Sequence, residues 1–408
     1  MSTSTSSSPA AAFYDVLIVG AGHAGANAAI ALRQRKFAGR IGLLWEESGL
    51  PYERPPLSKD YLAGERTAER LLIRPHQFWD TQQIELLPAR KAAALDAQAH
   101  RLQLADGGSI GYRQLIWAAG GRARRLSCEG AGLHGVHTVR SQQDVDLLRR
   151  DLVTAQRIAV VGGGYVGLEV AATLRKIDKP VFVLEQADRL LARVAGDFVS
   201  RFYRVQHERH GVEIRLASAV ARLEGRAGRV NGVRLASGDI LAADLVIAGI
   251  GIEPVTEPLI QAGARGSDGV DVDSACRTSL PGVFAIGDCA AVESSLQPGS
   301  RQRIESVQNA LHQAQVVARC IVGEAPPVAT VPWFWSDQFD LRLQSVGLSR
   351  HHDCQIVRGS PDDRSFSVVY LRQGKVIAVD CINSPRDFSA GKALVAEGAI
   401  WAPATRDA

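Results

Sequence analysis

The sequence predicts an α/β protein made of two successive strand–glycine–helix units with a small α+β domain behind them. Three observations carry that expectation. DVLIVGAGHAG (15–25) is an apolar strand running into three glycines and a helix of small residues. RIAVVGGGYVGLE (157–169) repeats the order of strand, glycine turn and helix start. GVFAIGDCA (282–290) is a short apolar strand that ends at Gly287 and presents Asp288 at its carboxyl end. In an open α/β sheet that end is where ligands bind. A G-x-G-x-x-G turn between strand and helix marks a Rossmann-like dinucleotide-binding domain, so two of them are expected.

At 408 residues the chain exceeds one ordinary core, and two or three domains are expected. Composition is that of a globular protein, with 46% hydrophobic and 22% charged residues. The net charge of +4 is spread thinly, and no basic block is interleaved with aromatics, so nucleic-acid binding is not expected. The 6 cysteines form no CxxC pair, which argues against a zinc site or redox-active disulfide and fits a reducing compartment. No metal is expected. No apolar run reaches the ~18 residues of a membrane span. The N-terminal MSTSTSSSPAAA (1–12) lacks a basic stretch and an apolar core, and reads as a disordered tail rather than a signal peptide. The expected location is cytoplasmic.

In the first unit Gly20 allows the tight turn, Gly22 lets backbone approach a pyrophosphate, and Gly25 lets helix and sheet pack closely. The next strand, 41–45, delivers Glu46, placed to accept hydrogen bonds from a ribose. His23 reads as a loop side chain beside the cofactor. The prolines of PYERPPLSKD (51–60) stop a helix and stiffen a loop that could hold Arg54 and Lys59 over a cofactor. Lys59 has two readings: a charge beside a flavin that stabilises the reduced ring, or a solvated surface lysine. Residues 84–120 alternate as strands around the hairpin signal Asp106-Gly107-Gly108. HTVR (137–140) reads as a connector.

In the second unit Gly162, Gly164, Val166 and Gly167 form the turn, and VFVLE (181–185) follows as a strand ending in Glu185. That acid would take ribose hydroxyls and repel a 2′-phosphate by about 1–4 kcal/mol, favouring NADH over NADPH, although Arg189 stands nearby. Glu169 early in the helix suits the macrodipole, or else contacts nicotinamide. The strand near 244–249 and its glycine exit at Gly251 read as a return to the first domain. The helix from Val307 could point its amino end at a flavin. After residue 327, PWFWSDQ (332–338) and alternating strands suggest the small α+β domain. Trp335 reads either as core or as a ring against the flavin. Expected boundaries are a 1–12 tail, a discontinuous FAD-binding domain (13–122 and 243–327), an NAD-binding domain (123–242) and a C-terminal domain (328–408).

Taken together, GAGHAG, YERPPLSKDYLAG, AAGGRARRL, VVGGGYVGLEVAATL, GIGIEP, GVFAIGDCAA, ESVQNA and PWFWSDQ resemble the FAD-dependent NADH:ferredoxin reductases, in order from about Phe13 to past residue 380. These serve aromatic-ring dioxygenases and haem-thiolate monooxygenases. The resemblance implies a glutathione-reductase-like arrangement. It implies FAD contacts at Ala24, Glu46, Lys59, Ala92, Arg140, Asp288 and Val307, and nicotinamide contacts through Gly162 to Gly167, Glu169, Glu185 and Gly251. Trp335 matches the family's tryptophan near the flavin, and Lys59, Glu169 and Trp335 become the catalytic candidates. Ala119, Ala92, His23 and Glu253 depart from the usual pattern, and none of these removes a charged contact.

The implied reaction needs no nucleophile. A hydride passes from NADH to FAD across about 3–3.5 Å, and single electrons then leave to a [2Fe–2S] ferredoxin that feeds an oxygenase. Arg301, Arg303 and Arg342 could supply a docking face. The alternatives are a monodehydroascorbate- or rubredoxin-reductase-type NADH oxidoreductase, and a flavin-binding protein of the apoptosis-inducing-factor type. A disulfide reductase needs a reactive cysteine by the flavin, and residues 46–60 contain none.

Overall fold

A computed structural model of the chain describes residues 12–294, 299–328 and 330–401. The expected 1–12 tail lies almost entirely outside them. The chain forms two compact units, Met1–Glu53 with Leu72–Gly121 and Pro254–Val328, and Arg54–Leu71 with Arg122–Glu253 and Ala329–Ala408.

The first unit is built on parallel strands in the order Ile84–Leu87, Ile41–Leu44, Phe13–Val19, Ser109–Trp117, with Val283–Ala285 beside the second half of Ser109–Trp117. Val16 pairs with Ile41, and Ile18 with Ile116. Strands flanked on both sides bury both faces, which is why Ile41–Leu44 is apolar throughout. Val16 and Ile18 face one core, and Leu17 and Val19 the other. On the first face lies helix His23–Gln34, whose Ala26, Ala28, Ala29 and Ala31 are buried with Ala310, Ala314 and Val317 of helix Val307–Ile321. Small residues let these two backbones approach closely. The first half of Ser109–Trp117 turns antiparallel against Arg101–Leu104, which pairs in turn with Ala92–Asp96. The Gly108 amide donates to the Asp106 carboxylate at 2.9 Å, closing the expected turn.

The second unit has an all-parallel sheet in the order Glu213–Arg215, Val181–Leu184, Ile158–Val161, Leu245–Ala248, Val136–Thr138. Leu245–Ala248 pairs in register with Ile158–Val161. The return to the first unit therefore comes at Pro254 rather than at residue 243. A four-residue buried run does not state which sheet it joins. Val136–Thr138, expected within a connector, is that sheet's edge strand. Strands Val220–Arg226, Arg229–Leu235 and Ile240–Ala242 form a separate antiparallel sheet.

Strands within residues 333–382 form an antiparallel sheet ordered Trp333–Gln338, Leu341–Gly347, Lys375–Ile382, Ser365–Arg372, Cys354–Ser360. Val346, Val369, Val379 and Cys381 pack with Phe388 of helix Pro385–Glu397. Leu341, Leu343, Phe366 and Val368 on the other face pack with Leu168, Val199, Phe202 and Tyr203. That second apolar face makes the C-terminal sheet continuous with the second unit. Among the described residues no helix is long and apolar enough to cross a membrane.

Candidate functional site

In the first unit the glycine turn is packed to backbone contact. Gly20 has φ +101°, and a Cβ there would lie 2.2 Å from the Ala118 carbonyl oxygen. A Cβ on Gly25 would lie 1.8 Å from the Gly20 carbonyl oxygen. Helix His23–Gln34 begins at Gly22 with no side-chain cap hydrogen bond, so no capping side chain competes with an anion such as a pyrophosphate for its positive dipole end. Gly287 closes on this turn: a Cβ there would sit 3.0 Å from that of Ala24. The Gly287 amide donates to Gln313 Oε1 at 2.7 Å, and the Asp288 carbonyl accepts from Arg303 at 3.0 Å. The backbone that presents Asp288 is thus held from both sides. Val307 opens its helix behind Ser306, whose hydroxyl accepts from the Asn309 amide at 3.1 Å. Glu46 follows its strand and pairs with Lys91 at 2.9 Å on the surface. Ala92 opens the strand Ala92–Asp96.

Gln313 and Arg303 were not singled out as support for this site from sequence. Gln313 had a signal, being a polar residue among the buried positions Ala310, Ala314 and Val317 of its helix. Arg303 is committed to Asp268 at 3.0 Å and Glu305 at 2.7 Å with a side chain only 8% exposed, so it is no docking residue. Arg301 donates to the Val272 carbonyl at 2.6 Å, and Arg342 lies on the surface 3.9 Å from Asp337.

The second unit repeats the turn. Gly162 has φ +108°, and a Cβ on Gly167 would lie 2.1 Å from the Gly162 carbonyl oxygen. A Cβ on Gly164 would meet nothing within 4 Å, leaving open space before the helix Tyr165–Lys176, and Val166 is exposed beside it. Glu185 is bound into the loop: its carboxylate accepts from the Gly163 amide at 2.7 Å and the Ala187 amide at 2.8 Å. Arg189 turns elsewhere, pairing with Asp197 at 3.0 Å and donating to the carbonyls of Ala192 and Ala195. Gly251, at φ +95°, passes the Arg193 guanidinium, 3.3 Å from where its Cβ would be.

Lys59 and Glu169 come together in this unit. Their Nζ and Oε2 are 2.6 Å apart, with side chains 18% and 5% exposed. Ser58 donates to the same oxygen at 2.6 Å, and Thr173 from the Glu169 helix donates to the Ser58 carbonyl at 2.8 Å. The reading of Lys59 as a solvated surface residue therefore gives way to a nearly buried ion pair. Glu169 likewise serves more than the helix dipole. Arg54 Nη1 donates to the Arg140 carbonyl at 2.6 Å, and the Arg140 amide donates to Asp144 within the capping box of helix Gln142–Leu152. Trp335 lies on the opposite face of its strand from Phe334 and Ser336, with its ring 5.7 Å from Trp333. Its neighbour Ser336, not Trp335, donates to Glu169, at 2.7 Å to Oε1. Sequence reading did not single out Ser58 or Ser336, because nothing local ties either residue to a helix more than a hundred positions away.

Beyond Ser336 lie Gln338 and the fully buried His207. Burial pushes His207 down to about 4 from its usual 6.5. An unfolded chain binds this proton near pH 6.5 and the folded one only near 4, so stability is full above about 6.5 and falls as pH drops towards 4. The expected slope from this group is up to about 1.4 kcal/mol per pH unit. Denaturant unfolding at pH 7 and pH 5 should show that loss in the wild type and a smaller one in His207→Leu. Equal slopes would contradict the assignment.

The six cysteines are all unpaired. Residues 14–314 match the pyridine nucleotide–disulphide oxidoreductase family, and residues 333–407 match the reductase C-terminal family. The chain is 55% identical over 386 residues to the ferredoxin reductase subunit of a 5,5′-dehydrodivanillate O-demethylase from Sphingobium sp., covering 94% of each chain. It is 51% identical to a ferredoxin–NAD(P)(+) reductase from Sphingomonas sp., covering 97% of this chain and 95% of that one. The putidaredoxin reductase of a covalent putidaredoxin reductase–putidaredoxin complex superposes with a TM-score of 0.90 at 40% identity, covering 94% of this chain and 93% of that one. The family implies use of a flavin and a nicotinamide nucleotide, and the two glycine turns, each closed to a side chain by backbone at its first and last glycine, fit such ligands. The chain therefore belongs to the pyridine nucleotide–disulphide oxidoreductases, among the ferredoxin reductases.

Proposed function

We propose that this chain is a cytoplasmic NADH:ferredoxin reductase. It takes a hydride from NADH onto FAD and passes single electrons to a [2Fe–2S] ferredoxin that serves an oxygenase. The observation that carries this reading is the Lys59–Glu169 pair, a cation held by a carboxylate at the head of the helix behind the second glycine turn. Bound FAD would supply the conversion of an electron pair into single electrons.

The residues proposed to hold FAD are Gly20, Gly22, Ala24, Gly25, Glu46, Arg54, Lys59, Ala92, Arg140, Asp288 and Val307. Those proposed to hold NADH are Gly162, Gly164, Val166, Gly167, Glu169, Glu185 and Gly251. Lys59 has the charge to support a reduced flavin, Glu169 orients Lys59, and Trp335 offers an aromatic face. None of these steps requires a general acid or nucleophile, which accords with cysteines that are scattered and unpaired.

Glu185 supports NADH as the donor. Its carboxylate is fixed by two amides, so a 2′-phosphate would meet a charge that cannot swing away. Arg189, already committed to Asp197 and two carbonyls, offers that phosphate no counter-charge. Glu185→Ala is expected to narrow the preference for NADH over NADPH by about tenfold or more, the size of a like-charge repulsion of about 1–4 kcal/mol. Unchanged selectivity in kcat/KM would remove the assignment.

The reading itself is tested by NADH-driven turnover with a purified [2Fe–2S] ferredoxin, with a rubredoxin and with monodehydroascorbate. Fastest turnover with the ferredoxin is expected. Preference for either other acceptor would favour the corresponding alternative, and slow flavin reduction with no acceptor would favour a flavin-binding role.

A further inference from the structure

A polar chain runs through the second unit from Glu169 to a histidine that the reaction as read above does not use. Ser336 Oγ is 2.7 Å from Glu169 Oε1, Gln338 Nε2 is 3.1 Å from Ser336 Oγ, and His207 Nε2 is 2.8 Å from Gln338 Oε1. All four side chains are buried. The strand Trp333–Gln338 places Ser336 and Gln338 two residues apart on one face, and helix Asp197–Arg209 brings in His207.

The polarity of this chain is fixed at every link. A carboxylate only accepts, so the Ser336 hydroxyl gives its proton to Glu169. The Ser336 oxygen then accepts from the Gln338 amide nitrogen, which turns the Gln338 carbonyl oxygen towards His207. His207 must therefore donate from Nε2. Its Nδ1 is left with no hydrogen-bond partner among the described residues. A buried nitrogen without a partner is unfavourable, and a leucine in the same place would carry no such penalty. Packing alone does not account for a histidine here.

Resting on the reading of Lys59 and Glu169 given above, we propose that His207 is a positioning residue for the reaction: through Gln338 and Ser336 it holds the Glu169 carboxylate in the orientation that pairs with Lys59. Without the Nε2 donor, the Gln338 amide is free to turn over, and its oxygen then accepts the Ser336 proton. Glu169 Oε1 loses its donor. The carboxylate, left with Ser58 and Lys59 only, draws the ammonium more tightly to itself and away from the flavin it is proposed to support.

The test is a double-mutant cycle on the flavin-loaded protein, read by the midpoint potential of the bound flavin and by the rate of its bleaching with NADH. His207→Leu and Ser336→Ala should each lower the potential by a similar amount and slow bleaching by about three- to tenfold, the size of a coupled contact. The double variant should match either single variant. His207→Gln, which keeps a donor, should stay near the wild type. Should His207→Leu fail to fold, His207→Met, which also lacks the donor, replaces it in the cycle with the same expectation. Additive shifts, or a potential unmoved by loss of the donor, would overturn the proposal while leaving a bleaching wild type and its function intact. A wild type that NADH does not bleach would overturn the functional reading and this inference with it.

Discussion

Replacing Lys59 with Met is expected to lower the reduction potential of the bound flavin and to slow its bleaching by NADH about 10- to 100-fold. Removing one electrostatic partner of a developing charge costs about 10²–10³-fold in a dry site, and the 18% exposure of Lys59 places its loss at or below the lower end. The substitution also strands Glu169, 5% exposed, beside an apolar side chain. Breaking a buried pair in this way costs about 3–5 kcal/mol, so denaturant stability should fall as well. Lys59→Met with Glu169→Gln separates the two effects, because stability should recover while the potential stays low. An unaltered potential with full flavin occupancy would contradict the role given to Lys59.

Gly25→Ala is expected to yield protein that retains little or no flavin. The added Cβ would stand 1.8 Å from the Gly20 carbonyl oxygen and 3.2 Å from Ile18, with backbone as the first obstacle. No rotamer relieves such a contact, so helix His23–Gln34 must move off the sheet. Overpacking typically costs about 1–3 kcal/mol, and a clash with backbone belongs at or above the top of that range. The movement also opens the turn at Gly20 to Gly22 where a pyrophosphate is proposed to lie. Absorbance per polypeptide after purification checks the first effect and denaturant unfolding the second. Stoichiometric flavin in the variant would mean that this turn does not cradle the cofactor.

The two glycine turns were legible in the sequence because each is a local event. A strand, a backbone that no Cβ can enter and a helix start lie within a dozen residues, and the physics that selects glycine at Gly20, Gly25, Gly162 and Gly167 acts over the same span. Asp288 was legible for the same reason. Its clamps were not: Gln313 and Arg303 reach it from other elements, and their side chains had equally good local readings, a helix polar residue and a surface cation.

Segment 54–71 marks where sequence order and spatial order part. Its prolines announced a stiff loop, and the structure makes short helices of Pro55–Ser58 and Asp60–Ala63. Numbering alone kept this segment with the first domain, whereas Ser58, Lys59 and Glu65 make their bonds to Glu169, Thr173 and Lys176 of the second unit. Leu245–Ala248 misled in the same way, since pairing in a sheet is settled by a partner strand and not by the run itself. Hydrophobic periodicity reports what is buried, and a charged pair such as Lys59–Glu169 is buried for reasons that only the folded chain contains.

The most direct test of the central claim is an anaerobic titration of the purified protein with NADH, following the flavin absorbance and then adding oxidised [2Fe–2S] ferredoxin. The protein should be yellow, bleach with about one equivalent of NADH per flavin, as a two-electron donor requires, and regain its colour as the ferredoxin is reduced. A colourless polypeptide that binds no flavin on reconstitution, or a flavin that NADH leaves oxidised, would contradict that claim.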